Sequence, residues 1–79
     1  MSKVSADIID LTGVPCPQNT ARAMFELELM DEGERLLLYI DDGEPRVNVP
    51  ASLEIEGHRV IEAQRTPQGW SLLVERGEA

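Results

Sequence analysis

The sequence is short of residues that make a fold or an activity easy to recognise. It has one cysteine, one histidine, and one residue each of Trp, Tyr and Phe. A single cysteine excludes an internal disulfide and a Cys-x-x-Cys redox pair, so packing alone must hold the chain together. Lysine and arginine total 7 against 15 acidic residues, for a net charge of −8, and the basic residues form no run. That balance argues against direct binding of nucleic acid, which needs a basic patch, and against an anionic membrane surface. No apolar stretch approaches the length of a membrane span. None of signal-peptide length follows Met1, so with the lone thiol the expected compartment is a reducing cytoplasm. There is no glycine-rich phosphate loop, no Gly-x-Gly-x-x-Gly, no zinc-ligand spacing and no calcium-loop pattern at Asp41, Asp42 and Glu44. No cofactor and no metal are therefore expected. The single histidine, His58, gives little footing to a Ser-His-Asp arrangement and reads as a solvated surface residue beside Gly57.

What remains is ordinary for a small folded domain: 79 residues, 42% hydrophobic and 28% charged. Length and the absence of repeats or linkers predict one domain over 1–79, with an ordered core at about 6–76 and frayed ends at 1–5 and 77–79. A first strand is expected over 6–11, closed by Gly13. A helix is expected over 19–30, with Pro17 at its first position, where a missing N–H costs nothing. Thr20, Ala23, Met24, Leu27 and Met30 share one face of it, the predicted core stripe. Ala21, Phe25 and Leu29 form a second apolar stripe, either core edge or docking surface, with packing favoured. Gly33 is the expected C-terminal cap.

The run 36–40 is continuously apolar and reads as a central strand. The breaker-rich turn 41–45 follows. A second helix then begins near Pro45 or restarts at Pro50 and ends at Gly57, although Val47, Asn48 and Val49 suit a strand equally well. Strands over 59–64 and 70–75 flank a turn at 67–69 and predict an antiparallel hairpin, with Trp70 packed rather than stacking on a ligand. The order is βαβαββ. Right-handed crossovers place both helices on one face of a mixed four-stranded sheet, an α+β, two-layer α/β sandwich.

Cys16 lies in Val14-Pro15-Cys16-Pro17-Gln18-Asn19, on the turn from the first strand into the first helix. A lone cysteine is ordinarily a buried structural residue. Two features set Cys16 apart: it is outside every apolar-periodic run, and prolines on both sides hold it on a turn. The first amides of a helix lack internal partners and favour negative charge, so they can support a thiolate there.

The stretch Asp10-Leu11-Thr12-Gly13-Val14-Pro15-Cys16-Pro17 resembles the TusA/SirA family of small sulfur-carrier proteins. The likeness extends over nearly the whole domain, through the Gly33 region, the acidic Asp41-Asp42 turn, Val49-Pro50 and Gly57-His58. It implies sheet order 1-2-4-3 with the fourth strand antiparallel. It further implies a sulfurtransferase or persulfide carrier. A cysteine desulfurase or other sulfur donor protein would load Cys16, and a downstream acceptor protein would take the sulfur. Gly13 and Pro17 carry over as the turn and helix-start positions that expose the thiol. Asn19 stands where the family's Cys-Pro-x-Pro motif has its second proline. Two other readings are kept: a regulatory or protein-binding module of the same fold without sulfur chemistry, and a redox sensor oxidised at Cys16.

Overall fold

A computed structural model describes residues 7–78. The tail expected at 1–5, the start of the first strand at Ala6, and Ala79 lie outside the described residues. Six elements follow in the order expected from the sequence: β1 (Asp7–Asp10), α1 (Gln18–Glu28), β2 (Arg35–Asp41), α2 (Glu44–Ile55), β3 (Arg59–Arg65) and β4 (Gly69–Glu75). The sheet order is β1-β2-β4-β3. β1 and β2 are parallel, and β4 runs antiparallel to both β2 and β3. The α+β two-layer sandwich with order 1-2-4-3 is therefore the observed fold.

The period-2 pattern explains the sheet. In β2, Leu36, Leu38 and Ile40 are fully buried, while Leu37 and Tyr39 between them are half-buried on the opposite face. Leu72 and Val74 of β4 continue the buried face. Ala23, Leu27 and Met30 close it from α1 and its C-terminal turn, and Val49 and Leu53 close it from α2. β3 carries a bulge between Val60 and Glu62, which leaves Ile61 partly exposed while Val60 and Ala63 both reach the core.

α2 settles the open question about its start. It runs unbroken from Glu44 through Pro50, with Pro45 in its first turn and Glu44 placing negative charge at its N-terminus. Val47 points to solvent and Val49 to the core, as a helix requires and a strand would not. Its end is a Schellman turn: the amide of His58 bonds to the Leu53 carbonyl and that of Gly57 to the Glu54 carbonyl, with Gly57 at φ +100°.

Three local expectations are corrected. First, α1 ends at Glu28 with Leu29 as its cap, and Gly33 does not cap it. Gly33 sits in the loop before β2, where its amide bonds to the Arg76 carbonyl. Second, the stripe of Ala21, Phe25 and Leu29 is exposed rather than packed, with Phe25 57% and Leu29 69% accessible. Third, His58 is buried, 5% exposed, and its Nδ1 accepts the amide hydrogen of Gly77 at 3.0 Å. The donor of that bond, Gly77, lies in the segment 77–79. Trp70 packs on the core as expected. Its indole N–H donates to Asp42 at 2.9 Å, and the Arg46 and Arg65 guanidiniums lie over its ring.

Candidate functional site

The loop from β1 into α1 is fixed at several points before it reaches Cys16. Leu11 is buried, and its amide bonds to the Tyr39 carbonyl, extending the β1–β2 pairing by one residue. The amide and hydroxyl of Thr12 both donate to Asp10 Oδ1, at 3.0 and 2.6 Å. These bonds, the hydroxyl's first, hold the Asp10 carboxyl below the usual carboxylate range. The chain then reverses at Gly13, whose φ of +81° is easy only for glycine. The Gly13 amide donates to Asp41 Oδ2 at 2.9 Å, which ties the loop to the far end of β2. Asp42 beyond it is locked to β4 through Trp70, and that hydrogen bond is the main reason its carboxyl also sits low.

Cys16 follows as a free, half-buried thiol at the C-terminal edge of β1. It lines an open depression of about 440 Å³ with Gly13, Val14 and Pro15 on one side and Asp41, Asp42, Glu44 and Pro45 on the other. The acidic turn after β2 thus faces the thiol, although no local pattern in the sequence brings the two together. A second shallow depression, of about 400 Å³, lies beside it, lined by Val14, Gln18, Ala21, Arg22 and Phe25. The exposed apolar stripe of α1 therefore begins next to the loop that carries Cys16.

Pro17 is the N-cap of α1 rather than its first residue, and the Cys16–Pro17 peptide is cis. The backbone amides at the helix start are also not all free, contrary to the expectation from sequence. The amide of Asn19 bonds to the Pro15 carbonyl at 3.0 Å, and that of Thr20 to Asn19 Oδ1 at 2.6 Å. The group that reaches the sulfur is a side chain: Asn19 Nδ2 donates to Cys16 Sγ at 3.2 Å. Asn19 is 1% exposed and heads the buried stripe of the helix, above Ala23 and Leu27 at spacings of four. The structure thus brings Gly13, Cys16, Pro17 and Asn19 into one turn, and adds Asp41. The sign of Asp41 in the sequence is its place just past an apolar strand that pairs with the strand before the thiol.

Among the described residues no group of three or more His, Cys, Asp and Glu is arranged to hold a metal ion. Among the same residues no helix is long and apolar enough to cross a membrane.

Comparison with known proteins agrees with this layout. A protein of Archaeoglobus fulgidus described as "Putative sulfur carrier protein" is 36% identical over 72 residues, covering 89% of this chain and 81% of that protein. The family model "Sulfurtransferase TusA" matches residues 7–76, from the first residue of β1 to just past β4. On that match, and on the strand order and the strand-to-helix thiol turn it spans, the chain belongs to the sulfurtransferase TusA family.

Proposed function

We propose that this protein is a sulfur-relay carrier that holds sulfane sulfur as a persulfide on Cys16. In the loading step the Cys16 thiolate attacks the outer sulfur of a donor protein's persulfide, such as that of a cysteine desulfurase. The donor's S–S bond breaks, a new S–S bond forms on Cys16, and the donor leaves as a thiolate, with no net oxidation. Delivery repeats the exchange: an acceptor protein's thiolate takes the outer sulfur, and Cys16 leaves as thiolate. The whole chain acts as one domain in this role, in a reducing cytoplasm, where a lone thiol stays free.

The observation that carries the reading is a free thiol in an open depression at the strand-to-helix turn of a chain that matches the TusA family over 7–76. Open α/β sheets tend to place their sites at that edge of the strands. Gly13 and Pro17 serve as the positions that turn the loop outward and start the helix behind the thiol.

Incubation with a cysteine desulfurase and cysteine, followed by intact-mass measurement, should add one sulfur atom to the wild-type chain. Absence of the adduct, or an equal adduct on Cys16→Ser, refutes the reading. The exposure of Phe25 and Leu29 favours a second reading, a protein-binding module without sulfur chemistry. That module predicts no adduct while partner binding is lost on Phe25→Asp.

A further inference from the structure

We propose that Asn19 is a positioning residue for the sulfur chemistry, orienting Cys16 and stabilising its sulfur as an anion through the Nδ2 hydrogen bond. The inference rests on Cys16 being the sulfur-accepting residue. Four observations carry it.

First, Asn19 is a polar side chain at 1% exposure in a position where an apolar residue would continue the Ala23–Leu27 stripe. Burying an amide there is favourable only if its hydrogen bonds are made. Second, they are made in one orientation only. Oδ1 accepts the Thr20 amide hydrogen at 2.6 Å and is 3.3 Å from the Thr20 hydroxyl. A backbone N–H can only donate, so the atom facing it must be the carbonyl oxygen, and the NH₂ group must face Cys16. Third, that NH₂ group is a pure donor, 3.2 Å from Sγ. A donor aimed at sulfur favours the form with the most electron density to accept it, the thiolate. Fourth, the backbone amides of Asn19 and Thr20, which a helix start would otherwise offer to an anion, are taken by Pro15 and by Asn19 itself. The side chain therefore supplies the donor that those two amides do not.

The same contact serves both halves of the relay. In loading, Sγ is the nucleophile, and the hydrogen bond holds it in place at the open depression. In delivery, the acceptor's thiolate attacks the outer sulfur, the bond from Sγ to that sulfur breaks, and the electron pair stays on Sγ. Asn19 Nδ2–H then stabilises Sγ as the leaving group, and a better leaving thiolate departs faster.

The test is iodoacetamide alkylation of the full chain across a pH series, with thermal melts to verify folding. It compares wild type with Asn19→Ala and Asn19→Asp. Alkylation needs no sulfur donor, so it can refute the role of Asn19 even if persulfide loading succeeds, and the reverse. Asn19→Ala, which loses the donor that holds Sγ, should be alkylated roughly threefold more slowly at pH 7. Asn19→Asp decides between a role at the sulfur and a role in packing. It keeps the shape and the oxygen that accepts from Thr20, but it turns a carboxylate oxygen toward Sγ. It should be at least as slow as Asn19→Ala. If Asn19→Asp is alkylated at the wild-type rate, or if all three profiles coincide, Asn19 is only a packing and capping residue and the inference is wrong. Should Asn19→Ala melt below the assay temperature, the isosteric Asn19→Asp alone decides the question by the same criterion.

Discussion

Lowering the pH should loosen this protein at a point far from its thiol. His58 sits just past α2, buried at 5% exposure, and its Nδ1 accepts the amide hydrogen of Gly77. An imidazole that accepts there is neutral, with its proton on Nε2. Burial first, and then the charge of Arg76, push its pKa below the ordinary 6.5, while Glu56 and Glu28 pull the other way. The unfolded chain therefore takes up the proton more readily than the folded one. Stability is complete above about pH 6.5 and falls as pH drops toward the folded-state value, beyond which no more is lost.

The size of the effect can be bounded in two ways. One proton can change stability by at most about 1.4 kcal/mol per pH unit. Between about pH 6.5 and 5 the loss is thus at most about 2 kcal/mol. Protonating Nδ1 also sets two N–H donors against each other and orphans the Gly77 amide, which costs about 1–3 kcal/mol. The first figure is a ceiling on how much of the second appears in this window. For a domain of this size each kcal/mol lost lowers the melting midpoint by roughly 4–8 °C, so the wild-type midpoint should fall measurably across this window. The assay is thermal unfolding by circular dichroism from about pH 7.5 to 5, on wild type and His58→Ala. Asp10 and Asp42 are held low and stay ionised in this window. Carboxylates away from His58 act alike in both proteins, so the difference between them reports His58 together with its neighbours Glu56 and Glu28. A flat wild-type profile, or an equal slope in His58→Ala, would refute the argument.

Three further outcomes follow from the packing. Leu38, fully buried in the central strand, should cost about 2–5 kcal/mol when changed to Ala, measured by urea denaturation. A result under about 1 kcal/mol would mean that the core collapses around the gap. A Cβ at Gly69 would collide with the Ile40 carbonyl oxygen and lie 2.9 Å from Asp41 Cα and Asp42 N. Gly69→Ala should therefore destabilise by about 1–3 kcal/mol through overpacking, and an unchanged melting midpoint would show that the β2–β4 end gives way freely. Asp41→Ala removes the acceptor of the Gly13 amide. Hydrogen exchange at Gly13 should quicken with a stability loss of about 1 kcal/mol, whereas unchanged exchange would show that the Asp41 carboxylate does not hold the loop.

Much of the fold is legible in the sequence because it depends on periodicity and short-range rules. The apolar run at 36–40, the turn at 67–69 and the chain order specify a βαβαββ sandwich, and the crossover rule places both helices on one face. The thiol turn is legible too, since Pro15 and Pro17 restrict the backbone around Cys16 whatever surrounds it. The phase of α1 is harder to read. Asn19, Ala23 and Leu27 are spaced by four, but a polar residue at the head of a stripe resembles the polar side until its partners are seen. Gly33 resembles a helix cap because the loop that needs its positive φ is closed by Arg76, far along the chain beyond β4.

By itself, then, the sequence determined the strands and the first helix, how the elements are layered, and that its one cysteine stands on an exposed kind of turn, while the start of α2 was left open. Those features follow from side-chain period and from local backbone restriction, which act over a few residues. Only the tertiary structure decided what surrounds that cysteine: the Asn19 amide on its sulfur and the acidic end of β2 across the depression. It likewise decided that the histidine is buried against Gly77 instead of lying in solvent. Each of these is a hydrogen bond or a burial whose partner or direction depends on how distant elements pack, and packing is a property of the whole chain that no window of it contains.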